Sequence, residues 1–164
     1  FVQNPIELTV KRLPEACTAE LGLHPDEPER GSREYTIEPK GESGSAQFWV
    51  SKKDLDPSKI GNIIRLMELL NMKIEKVNSS SAEASFVSES YEDAGEVKAQ
   101  LIHWILIGKD MPCSVVMPDA TITDGVAEDA CRTLKTDDIV QFERFGFVRI
   151  DKNDGSLVAY YAHK

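Results

Sequence analysis

The chain has 164 residues, 41% of them hydrophobic and 29% charged, with a formal net charge of −9 and a pI near 4.9. That is enough to bury a real core as one domain or two small ones, and such acidity argues against a protein that grips nucleic acid through bulk charge. Neither a membrane-spanning apolar run nor a charged-then-apolar leader is read in it.

Phe1 opens the chain where a start methionine would stand, which reads as a piece of something longer. Cys17, Cys113 and Cys131 are an odd and widely spaced set without a CxxC pair, so reduced thiols in a cytosolic protein are expected. His24, His103 and His163 add no zinc spacing, and the chain is read as metal-free.

In chain order, residues 5–10 (PIELTV) alternate as a first strand. Residues 11–33 are rich in Pro and Gly and show little period of either kind. They read as a charged loop through His24-Pro25-Asp26 and 28–33, where Arg30 and Arg33 are candidate phosphate contacts. Residues 34–38 and 47–51 read as short strands joined by a hairpin loop at 39–45, followed by the adjacent Lys52 and Lys53.

Residues 60–77 are ambiguous. Ile63, Leu66, Leu70 and Ile74 suit helical spacing, whereas 73–77 alternate strictly. A strand, turn, strand reading is preferred through the resemblance given below. Residues 82–88 alternate again, and 88–96 are acidic and exposed. Residues 97–107 read as one strong strand, with Gln100, Ile102 and Trp104 on one face and Leu101, His103 and Ile105 on the other. A lone histidine there is more often a satisfied core residue than a catalyst. Residues 113–117 are a further short strand, and 123–135 are less regular, with a short helical turn near 128–134. The Asp154-Gly155 step before residues 157–161 is the clearest hairpin signal in the chain. Many short strands and few helices indicate an all-β sandwich or barrel.

Residues 138–151 (DIVQFERFGFVRID) carry the most distinctive polar set inside an aromatic and β-branched run. Read as one strand, Gln141 and Glu143 project together with Phe145, Phe147 and Arg149. Arg144 falls on the core face unless Gly146 makes a bulge that re-aims it. An amide, a carboxylate and a guanidinium together suit a flat polar ligand such as a nucleobase. From pattern alone the plainer reading, a half-buried strand with solvated polar groups, is favoured. No glycine-rich phosphate loop, nucleophile elbow or HExxH occurs. On residue chemistry alone the chain is a β-rich binding or structural domain.

Several phrases in one order change that reading. They are Asn4-Pro5-Ile6-Glu7-Leu8, HPDEPERGSRE from His24, SKKDL from Ser51, and IRLMELLNMKIEKV from Ile64. IHW from Ile102, GVAE from Gly125 and QFERFGFVRIDK from Gln141 complete them. The ordered set resembles the C-terminal anticodon-binding region of the class I glutamyl/glutaminyl-tRNA synthetases of archaeal and eukaryotic type. The closing DKNDGSLVAYYAHK favours the glutamate enzymes over the glutamine ones.

The resemblance implies two packed β-barrels, a proximal one from about 1–45 plus 122–164 and a distal one from about 46–121. It assigns tRNA anticodon binding to Gln141, Glu143, Arg144 and Arg65, with phosphate contacts at Arg30, Arg33, Lys52 and Lys53. The implied partner is tRNA(Glu), with tRNA(Gln) and contacts to a synthetase complex or an amidotransferase as further candidates, in the cytoplasm. Glutamate activation with ATP and Mg²⁺ would belong to a catalytic part, since neither a HIGH-like nor a KMSKS-like motif is present here. This chain alone is expected to be inactive, without a cofactor of its own, and to bind RNA weakly and with strong salt dependence.

The chemistry fits. The central anticodon base for glutamate and glutamine is uracil, whose ring N–H can be accepted by a carboxylate such as Glu143 and whose carbonyls can accept from the Gln141 amide. Arg144 would serve a neighbouring base by its fork or by stacking. Asp56-Pro57 stand where glutaminyl enzymes carry a Lys-Arg pair, and Met67 stands in place of an arginine, which agrees with a glutamate enzyme. The competing readings are a glutaminyl enzyme's anticodon-binding domain, a protein-docking β-barrel, a ribosomal RNA-binding barrel of related fold, and a small hydrolase around His103 and Glu128.

Overall fold

The computed structural model describes residues 1–23 and 27–164; His24, Pro25 and Asp26, at the head of the predicted charged loop, lie outside the described residues. The strands are β1 (Val2–Gln3), β2 (Pro5–Lys11), β3 (Cys17–Gly22), β4 (Ser32–Ile37), β5 (Ala46–Ser51), β6 (Ile63–Leu66), β7 (Asn71–Val77) and β8 (Ser81–Ser88). After one helix, α1 (Tyr91–Glu96), follow β9 (Gln100–Ile102), β10 (Trp104–Leu106), β11 (Asp110–Val116), β12 (Ile122–Glu128), β13 (Ile139–Phe142), β14 (Gly146–Asn153) and β15 (Leu157–His163). The fold is all-β, as expected, and divides between two main sheets and a ribbon. Among the described residues no helix is long and apolar enough to cross a membrane.

One sheet has seven strands in the order β10-β5-β2-β8-β7-β6-β9. Alternation builds it. In β2, Ile6, Leu8 and Val10 are buried while their neighbours are half-exposed, and Phe48, Ile64, Leu66, Met72, Ile74 and Ile102 fill the same core. Its two edges, β9 and β10, are consecutive in sequence and separated only by His103, so the sheet is nearly closed. The second sheet, β1-β12-β11-β15-β14-β13, is a half-barrel over Met111, Val115, Phe142, Val148, Ile150 and Leu157. Strands β3 and β4 form a separate antiparallel ribbon whose inner side, Cys17, Ala19, Tyr35 and Ile37, packs on the first core.

Several expectations are corrected. Residues 11–33 are not all loop: Cys17, Ala19 and Leu21 alternate in β3 against β4. The turn at 39–45, closed by a bridge between Lys40 and Ser45, does not join a hairpin, because β4 pairs with β3 and β5 with β2. Residues 97–107 are two strands; β9 runs parallel to β6 and β10 antiparallel to β5. The less regular stretch from 123 is β12, seven residues long, before the short 3-10 turn at Asp129–Thr133. The strand, turn, strand reading of 60–77 holds, with β6 and β7 paired antiparallel and Asn71 starting β7.

The seam between the sheets is made at Asn4, which holds a positive φ of 46°. Its N–H donates to the Asp124 carbonyl of β12 at 3.1 Å, and its own carbonyl accepts from the Lys52 N–H at 3.2 Å. One peptide step thus hands the chain from the half-barrel to the nearly closed sheet.

Candidate nucleic-acid interface

The QFER segment is not the continuous strand its composition suggests. β13 and β14 are an antiparallel hairpin with Gln141 opposite Phe147 and Phe142 opposite Gly146, and the chain reverses through Glu143, Arg144 and Phe145. The Phe145 N–H donates to the Phe142 carbonyl at 2.9 Å, closing a turn whose third residue, Arg144, has φ +60°. That conformation is usually left to Gly or Asn. Phe145 does not share a face with Gln141: it turns inward, its ring 5.0 Å from Phe1 and 5.8 Å from Tyr161. Val140, Phe142 and Val148 keep the core face, and Gln141 lies exposed on the other. Gly146 is buried at φ +145°, next to a register shift between Phe147 and Val148, so the expected irregularity is present.

The hairpin tip leans against the β9–β10 break. Glu143 Oε2 lies 3.6 Å from His103 Nδ1, slightly beyond hydrogen-bond range, and the main-chain nitrogen of Phe1 lies 3.4 Å from His103 Nε2. Burial pushes the His103 pKa down, against the Glu143 carboxylate, which raises it. His103 in turn holds the Glu143 carboxyl below its ordinary value, with burial opposing. The two effects apply at different pH. Near neutrality burial keeps His103 uncharged beside an ionised Glu143, and in acid the charged imidazole keeps that carboxylate ionised longer.

Arg144 crosses the same seam. Its Nη1 donates to the Leu101 carbonyl at 2.9 Å, and its Nη2 lies 3.5 Å from Oδ1 of the buried Asp54. The side chain remains 40% exposed, so part of its fork still faces solvent. Between these groups is a cleft of about 20 Å³, room for a water, lined in part by Gln3, Lys53, Asp54, His103, Glu143 and Arg144.

The other predicted residues separate. Lys52 and Lys53 are exposed, with no ion-pair partner among the described residues, and Lys53 lies on the cleft. Arg30 is paired with Glu27. Arg33 Nε is 2.9 Å from Glu128 Oε2, an ion pair whose N–H is not aligned on the acceptor, and Tyr35 donates to the same oxygen at 2.6 Å. Arg65 is only 5% exposed and faces away from the core under α1, its Nη1 donating to Asn71 Oδ1 at 3.1 Å and to the Glu89 carbonyl at 3.0 Å. It therefore acts first as a staple for the chain entering α1.

A larger hollow of about 480 Å³ is lined by Arg33, Tyr35, Lys109 and Asp129 but by none of the hairpin residues. Neither hollow is lined by both His103 and Glu128. Among the described residues no group of His, Cys, Asp and Glu side chains clusters as a metal site. Burial pushes the free thiols of Cys17 and Cys131 up to about 11 and that of Cys113 up to about 12, so all three stay protonated and unreactive.

Sequence profiles of the anticodon-binding domain of class I tRNA synthetases for Glu and Gln match residues 1–92 and 101–151. The chain belongs to this anticodon-binding family. The glutamate–tRNA ligase of Thermococcus kodakarensis is 43% identical over the whole of this chain, that of Pyrococcus abyssi 42%, and that of Methanocaldococcus jannaschii 39%. The chain spans 28% of the length of each of these relatives.

Within an anticodon-binding domain, the sequence reading missed Asp54 as the anchor of Arg144 and His103 as the neighbour of Glu143. Both lie inside quoted phrases, SKKDL and IHW, but nothing local to either phrase shows what it faces.

Proposed function

We propose that this chain reads the anticodon of tRNA(Glu) as part of a glutamate–tRNA ligase, with Glu143 and Gln141 addressing the central uracil and Arg144 a neighbouring base. The observation that carries the reading is the hairpin tip, where an exposed amide at the end of β13 is followed by a carboxylate kept ionised and a partly open guanidinium on the turn, at the seam of two sheets. Unpaired bases present their Watson–Crick edges to such groups, and an ionised carboxylate accepts the uracil ring N–H.

Lys53, beside the cleft, and Lys52 are the best placed phosphate contacts, while Arg30 and Arg33 are committed to Glu27 and Glu128. Arg65 supports its base site from beneath. Glutamate activation with ATP and Mg²⁺ is assigned to the part of the enzyme outside this chain, in the cytoplasm, and tRNA(Gln) and an amidotransferase are secondary partners. In place of the division expected from the resemblance, we propose one unit over about 5–106 and another over about 1–3 and 110–163, following the two cores.

The test is binding of the chain at low salt to anticodon stem-loops of tRNA(Glu), tRNA(Gln) and a central-base mutant, with Glu143→Ala alongside. Loss of binding on the base change and on the substitution supports the reading; equal binding of every loop sinks it.

A further inference from the structure

We propose that Tyr91 is a stacking platform for a second unpaired base of the anticodon loop. The inference rests on the reading above and adds a residue to that site.

Ser90 caps α1, its Oγ accepting from the Asp93 N–H at 3.1 Å, which fixes Tyr91 in the first turn. Tyr91 is 63% exposed, whereas Phe48, Trp104 and Phe142 are buried. Under it lies Arg65, whose guanidinium carbon is 5.3 Å from the ring centroid. Arg65 cannot swing away: besides its bonds to Asn71 and Glu89 it donates to the Ser90 carbonyl at 3.4 Å, and Asn71 Nδ2 donates to that same carbonyl at 2.6 Å. One face of the ring therefore rests on a fixed cation, and the residue remains largely open to solvent.

The platform is continuous with the hairpin site. Arg65 on β6 stands in register with Leu101 on β9, and the Leu101 carbonyl is the acceptor of Arg144. A row therefore runs from the hairpin tip over exposed Leu101 to Tyr91. The local charge decides which part of RNA this row can take. Glu89 precedes Tyr91, and Glu92 and Asp93 follow it, so a phosphate is repelled here while the neutral face of a base is not. Ring stacking needs no donor or acceptor and tolerates any base. Hydrogen bonds from Glu143 and Gln141 would read the central base, and the tyrosine would hold a base next to it out of the loop's own stack.

The experiment places 2-aminopurine, whose emission falls on stacking, at the first or the third anticodon position of a tRNA(Glu) stem-loop. Saturating wild-type chain is expected to quench it at one of the two positions. Tyr91→Phe keeps both the quench and the affinity. Tyr91→Ala abolishes the quench and binds about tenfold or more weakly, and circular dichroism confirms that this exposed substitution leaves the fold intact. Tyr91→Ala with unchanged quench and affinity overturns the platform, and if Glu143→Ala still abolishes binding in that case the hairpin reading survives. A normal response to Glu143→Ala with no quench at either position likewise overturns the platform alone. If neither substitution alters binding, both readings fall.

Discussion

Arg144 and Asp54 meet across the seam, Nη2 to Oδ1 at 3.5 Å, while the same guanidinium holds the Leu101 carbonyl at 2.9 Å. A residue proposed to read a base is thus held, in the free protein, by Leu101 on the other sheet and by Asp54 in the turn that follows β5. Its positive φ adds to the cost of keeping it there. RNA must compete with Asp54 for the guanidinium. Asp54→Asn keeps the shape and weakens the hold, so stem-loop affinity is expected to rise about threefold, an electrostatic gain of under 1 kcal/mol. Fluorescence anisotropy measures it, and a fall in affinity would show that the pair pre-organises Arg144 instead.

The His103–Glu143 contact gives folding and reading acid limits in different pH ranges. His103 is held below its ordinary 6.5 by burial, so the unfolded chain binds its proton first. Its stabilising effect is complete above pH 6.5 and is lost as pH falls toward the lower folded value, and the urea midpoint at pH 5.5 is expected below that at pH 7.5. Glu143 is held below its ordinary 4.5, chiefly by His103, so its carboxylate survives as an acceptor under that pH. In His103→Ala the acid limb of central-base recognition shifts toward pH 4.5.

Gly146 sits at φ +145°, and a Cβ there would come 2.7 Å from Tyr161 Cε2 and 2.8 Å from the His163 carbonyl. The carbonyl belongs to the paired strand and cannot move without opening the β14–β15 ladder. Gly146→Ala is expected to lower stability by about 1–3 kcal/mol and to misplace the hairpin tip. Thermal unfolding checks the first effect, and loss of central-base discrimination checks the second.

Lys53→Ala should weaken every stem-loop alike and lower the slope of log affinity against log salt by about one unit, as removal of a phosphate contact does. Arg33→Ala should leave that slope unchanged and lower stability instead, because Arg33 is paired with Glu128. A salt titration of both variants separates the roles.

Much of the fold was legible in the alternation of β2, β7 and β8 and in the Asp154-Gly155 step that joins β14 to β15. The hairpin at 143–145 was not, because its turn carries no Gly or Asn at the positive-φ position. Arg144 occupies that position between aromatic residues that read as strand on either side. The break at His103 left no mark for another reason. A single residue separates the two strands, and the change lies in the pairing, from parallel with β6 to antiparallel with β5. In the site, the chemistry of Gln141, Glu143 and Arg144 was visible, but their partners Asp54, Leu101 and His103 lie at least forty residues upstream and become neighbours only in three dimensions. Arg65 entered through the resemblance as an anticodon-binding residue, and nothing in its phrase shows its burial beneath α1.

Asn4 bonds one sheet through its N–H and the other through its carbonyl. A swivel of one barrel about the other would have to pull one of these bonds apart within a single residue. Arg144 adds a second tie only two residues along, through Asp54 of the same short 3-10 turn that holds Lys52. Together these contacts resist a swivel of one sheet about the other, and with it any change in the spacing between the hairpin tip and Tyr91.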